Sequence, residues 1–175
     1  KTLTIDDAKV IAKQSYVASA TPQTTSGGTL TYRNTDLSAS LYGVGEQYFD
    51  VRGLKLESGR LFDEGDVKED AQVVVIDQNT KEKLFGADVN PLGKTVLFNK
   101  RPLTVIGVMQ KEENSFGNAD VLMLWSPYTT VMHQITGESH TNSITVKIKD
   151  DANTQVAEKS LTELLKARHG TEDFF

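Results

Sequence analysis

Cysteine is absent from the 175 residues, which removes disulfide frameworks, thiolate nucleophiles and every cysteine-bearing metal site together. The compartment stays open, because cysteine-free chains suit the periplasm and the cytosol alike. No run approaches the roughly 20 apolar residues that span a bilayer, and no secretory leader is visible. Basic charge is in short supply too: 19 Lys and Arg stand against 24 Asp and Glu, a net of −5. That balance works against a nucleic-acid partner, whose phosphates need clustered cations. Lys81, Lys83, Lys94, Lys100 and Arg101 are the densest basic group, and acids interspersed among them mark a solvated face. The chain opens on Lys1 rather than methionine, and the expectation is a piece of something longer.

Catalytic patterns are equally scarce. His133, His140 and His169 are the only histidines, and none pairs with another at the three- or four-residue spacing that sets two metal ligands on one helical face. No serine lies in a Gly-x-Ser-x-Gly elbow. Residues 86–95 end in Gly93-Lys94-Thr95, but a phosphate-binding loop needs glycine where Asp88 stands, and a carboxylate there repels phosphate. Asp6-Asp7 and Asp150-Asp151 sit at helix starts, where capping accounts for them. The acidic stretch 63–70 lacks the alternating spacing of a calcium loop and reads as solvated. A small hydrolase built from dispersed acids remains a third reading, and it requires a deep pocket with converging carboxylates. The leading expectation is a chain that works by contact, with no cofactor and no metal of its own.

Periodicity supplies the rest. Thr4 and Asp7 form a capping-box pattern for a short helix to about Lys13, with Ile5, Ala8 and Ala12 on one stripe. Leu30, Tyr32, Leu37, Ala39 and Leu41 alternate around Asn34-Thr35, the mark of a hairpin with one buried face, and Gly43 and Gly45 end its second strand. Residues 53–66 look like a long irregular connection punctuated by glycine. Val73 to Ile76 is a β-branched run for a strand covered on both faces, with Asp77 as cap and Gly86 as stop of the next helix. Strands at 94–98 and 102–110 turn at Asn99-Lys100. The buried run 121–125 leads to Ser126-Pro127, read as a cap and first helical residue, with Gly137 closing that helix. A strand near 143–149 and a helix over 154–168, with its stripe at Ala157, Leu161, Leu164 and Leu165, complete the chain.

These elements predict an α+β fold in two lobes. One comprises residues 1–70 and 127–175; the other, 71–126, is an inserted β-rich subdomain. Two aromatics stand apart from the core pattern as partner or substrate contacts: Phe116, in a polar loop with little reason to hold a phenyl ring, and Tyr48, for which local packing is the stronger account.

In order along the chain, Gly43-Val44-Gly45-Glu46-Gln47-Tyr48-Phe49, Gly59-Arg60-Leu61-Phe62, Leu84-Phe85-Gly86, Pro91-Leu92-Gly93-Lys94, Val105-Ile106-Gly107-Val108 and Arg168-His169-Gly170 with Asp173-Phe174 resemble the periplasmic domain of the MacB/FtsX-like permease family. Each motif is weak alone, and their succession is specific. The last is more particular to the macrolide exporters of that family. The resemblance implies a porter-like α/β subdomain with an inserted β-rich Sabre subdomain, in the periplasmic portion of a multi-pass inner-membrane protein. It further implies a homodimeric transporter that uses ATP and Mg outside this region, with the adaptor MacA and, through it, the channel TolC as partners. Related permeases that serve lipoprotein release or cell-wall hydrolase activation are the alternative within the family.

Overall fold

The computed structural model describes residues 3–111 and 122–170. Helix α1 (Ile5–Ala12) starts on a complete capping box: Thr4 accepts from the Asp7 amide while the Asp7 carboxylate accepts from the Thr4 amide. Its buried residues are Asp7, Ala8 and Ile11, so the stripe lies one residue back from the expected Ala12, which is exposed. Strand β1 (Val17–Tyr32) and β2 (Thr35–Val44) form a hairpin across Arg33-Asn34, with Tyr32 facing Thr35 and Arg33 at φ 55°. Helix α2 (Tyr48–Val51) follows. Next come β3 (Leu56–Gly59) and α3 (Glu64–Lys68) where an irregular connection and a solvated loop were expected. Both have a local cause: β3 pairs with β6, and Asp63 and Asp66 make a second capping box that nucleates α3.

Strand β4 (Val73–Ile76) leads through the Asp77 cap into α4 (Gln78–Thr80), which continues as a π-helix over Lys81–Phe85. Strands β5 (Thr95–Phe98) and β6 (Arg101–Met109) turn at Asn99 and Lys100, both at positive φ as a type I′ turn requires. β7 (Leu122–Pro127) ends on Pro127, and α5 (Tyr128–Thr130) passes into a second π-helix, Val131–Thr136, stopped by Gly137 in the left-handed region. Ser126 is not the cap expected there; its hydroxyl donates to the Val73 carbonyl at 2.7 Å, tying β7 to β4. β8 (Ser143–Ile148) and α6 (Thr154–His169) close the chain, and the cap of α6 is Asn153, not the Asp150-Asp151 pair.

All eight strands join one mixed sheet, and the fold is α+β. β1 pairs with β2, β2 with β7, β7 with β4, β4 with β6, β6 with β5 and β5 with β1, so the sheet closes on itself. Each ring strand sends side chains to one shared interior, among them Leu30, Leu41, Leu124, Ile76, Val105 and Phe98. On the outer face of β4 and β7, alternation turns Val75 and Trp125 toward a second cluster with Phe49, Phe62 and Val67. A third cluster lies apart. It holds Ile11, Val17, Ala20, Leu161 and Leu165, from α1, the first part of β1 and α6, with Ile144, Val146 and Ile148 of β8 against it. β8 and β3 attach outside the ring, on β1 and β6. The position 126/127 expected to divide the two stretches falls inside β7.

Candidate functional site

Asp7 serves more than its helix cap. Its side chain is fully buried and lies between two residues from the far end of α6: Arg168 Nε donates to Oδ1 at 2.7 Å, and His169 Nε2 lies 2.7 Å from Oδ2. Oδ2 also accepts from the Thr4 amide at 2.9 Å and hydroxyl at 3.2 Å. Burial pushes the Asp7 carboxyl up, but the bonds from Arg168, the Thr4 amide and His169 outweigh it, and the group titrates below its ordinary value. The α6 end that presents Arg168 and His169 is finished by Gly170, left-handed at φ 73°, whose amide returns to the Lys166 carbonyl. One buried carboxylate thus clasps the start of α1 to the end of α6. Sequence reading assigned Asp7 to capping alone; the spacing of 161 residues between Asp7 and Arg168 hides the pair from any local pattern.

Tyr48 lies inside, 6% exposed, with its ring edge-on to Phe49 at 5.8 Å. Phe49 in turn meets Phe62 at 5.4 Å and Trp125 at 6.1 Å, so the tyrosine belongs to an aromatic cluster under α2. In this chain the ring packs inward, the local-packing account given to it from sequence. Phe116 lies outside the described residues.

His133 and Gln134 are paired for structural ends. His133 Nδ1 lies 2.7 Å from the Asp70 carboxylate, and Gln134 donates to the Asp70 carbonyl, fastening the second π-helix to the turn after α3. A shallow pocket lined by Ile5, Met132, His133, Gly137, Glu138 and Ser139 brings in one carboxylate only, unlike the converging acids a hydrolase needs. Among the described residues no group of three or more His, Asp or Glu is placed to hold a metal.

The motif residues are accounted for by close packing. A Cβ on Gly107 would come within 2.4 Å of the Arg60 carbonyl, and one on Gly59 within 2.2 Å of the Ile106 carbonyl, so glycine is what lets β3 cross β6. Leu84 and Phe85 plug the ring interior, Phe85 meeting Tyr32 at 4.5 Å between ring centroids. Arg60 bonds Asp66 at 2.9 Å, and Phe62 lies in the aromatic cluster. Residues 1–164 match the MacB-like periplasmic core domain. The chain belongs to that family.

MacB-type relatives extend the match over the whole chain. It is 89% identical over all 175 residues to a macrolide export ATP-binding/permease protein MacB of Neisseria meningitidis, and 56% identical over 174 residues to one of Aggregatibacter actinomycetemcomitans. In each case it spans 27% of the relative's length. The crystal structure of the periplasmic region of MacB from Actinobacillus actinomycetemcomitans superposes with a TM-score of 0.90 at 54% identity, covering all of this chain and 78% of that one. The extracellular domain of the noncanonic ABC-type transporter YknZ superposes at 0.87 over 99% of this chain and 87% of its own, at 24% identity, a likeness of fold. No helix among the described residues is long and apolar enough to cross a membrane.

Proposed function

We propose that this chain is the non-catalytic periplasmic domain of an ATP-driven efflux transporter of the inner membrane. It docks the adaptor MacA and relays ATP-driven movement that expels macrolides or peptides through TolC. The observation that carries this reading is the 89% identity over the full chain to a macrolide export protein. ATP and Mg belong to other parts of that transporter, which works as a homodimer. The clasp supports the relay: a pull arriving at either α1 or α6 is shared through Asp7, Arg168 and His169 before it reaches the sheet. In this reading the α1, β8 and α6 lobe takes up the movement and the ring of strands presents the docking surface. Phe116 is the contact residue, and Tyr48 acts from within by holding the turn at Glu46-Gln47.

The test is surface plasmon resonance with the purified chain against three immobilised periplasmic proteins: the adaptor, a lipoprotein chaperone and a cell-wall hydrolase. Saturable binding to the adaptor alone, weakened by Phe116→Ala, is expected. Binding to the chaperone or the hydrolase in its place moves the chain to the related permeases.

A further inference from the structure

We propose that β1 carries a hinge at residues 25–28, about which the lobe of α1, β8 and α6 swings relative to the ring of strands. β1 is the one strand shared by both bodies. Along one edge it pairs with β2 without interruption, from Gln23 facing Val44 to Tyr32 facing Thr35. Along the other edge the partner changes. β8 ends its pairing at Gln23, facing Ser143, and β5 begins only at Leu30, facing Phe98.

The ends of that gap are closed by two asparagines rather than by a strand. Asn142 Oδ1 accepts from the Thr25 amide at 2.8 Å while its own amide donates to the Gln23 carbonyl at 2.8 Å. Asn99 Oδ1 accepts from the Thr29 amide at 2.9 Å and its amide donates to the Thr29 carbonyl at 2.9 Å. Strand alternation points the Gly27 amide to the same edge, where no strand of the described residues pairs with it. Among the described residues, strand pairing holds the backbone there from one side only.

The two glycines differ in a way that bears on this. Gly28 makes room for Asn99, since a Cβ would sit 2.3 Å from Asn99 Oδ1 and displace that side chain. Gly27 is not: it has no positive φ, and a Cβ there would meet nothing within 4 Å. A glycine with no steric or dihedral reason in the middle of a strand loosens it. Polar contacts join the two bodies elsewhere, one exposed and one buried. Lys147 reaches Asp50 at 3.7 Å with side chains 45% and 83% exposed, and Thr21 Oγ1 accepts from the Gly45 amide at 2.8 Å. The apolar cluster of the lobe is separate from the two clusters of the ring.

The hinge itself stands on this geometry; its use in export rests on the reading above. A chain without cysteine accepts spin labels cleanly. Cysteines at Glu158 on α6 and Lys94 beside β5 report the distance between the bodies by double electron–electron resonance, and a pair at Glu158 and Lys149 within the lobe is the control. The native chain is expected to give a distribution broader than the control, Gly27→Val to narrow it to the control width, and Asn142→Ala to broaden it further. A native distribution as narrow as the control, or one that neither variant moves, overturns the hinge. If the hinge holds and Gly27→Val leaves macrolide export by the full transporter unchanged, it is the relay reading that fails.

Discussion

Asp7 shows what a single residue contributes. Four donors converge on a carboxylate with no solvent contact, and replacing it with alanine strands their bonds and removes the anion beside the Arg168 guanidinium. Arg168 keeps 34% of its side chain exposed, so solvent screens part of the pair and the cost is about 1–3 kcal/mol rather than that of a wholly buried one. Because folding lowers the pKa of Asp7, the stabilisation is present above the ordinary carboxylate value of about 4 and is lost as pH falls through the lower, folded value. Thermal melts of the native chain and Asp7→Ala are therefore expected to differ most near neutrality and to converge in acid. A gap that widens in acid contradicts the clasp. The cap at Asp7 was legible because Thr4 stands three residues away; its partners Arg168 and His169 were not, because contact between residues so far apart in sequence belongs to the tertiary fold.

At the scale of elements, strands with a clean alternation or a β-branched run were readable, and those hidden by composition were not. The first half of β1, residues 17–27, is rich in Ala, Thr, Ser and Gly and has no apolar period, yet tertiary pairing with β8 and β2 makes it a strand. β3 escaped for a similar reason, since its place depends on Gly59 and Gly107 approaching each other's backbones across the sheet. That contact yields a contrast. Gly107→Ala forces a Cβ against the Arg60 carbonyl and is expected to cost about 1–3 kcal/mol, whereas Gly27→Ala, with open space around it, is expected to be neutral or stabilising by about 0.4–1 kcal/mol. Urea denaturation of the two variants measures the difference. Equal losses contradict the placement of β3 on β6.

At the scale of the molecule, a closed ring of strands and a small α/β lobe share one strand, and the lobe's two helices are bound by one carboxylate. The α+β class and the family were legible from the order of short motifs, most of which serve close packing: Phe62 in the aromatic cluster, Gly107 at the strand crossing, Phe85 in the ring interior. The closure of the sheet was not, because β5 meets β1 through only Leu30 facing Phe98 and Thr31 facing Leu97. In the relay account the clasp lets the lobe move as one body. The most direct measurement is macrolide export and ATP hydrolysis by the full-length transporter carrying Asp7→Ala, compared at equal expression with Gly107→Ala, which loses similar stability but keeps the clasp. The account predicts that Asp7→Ala retains ATP hydrolysis and loses export while Gly107→Ala keeps both; export unchanged by Asp7→Ala, or lost equally in the two, contradicts it.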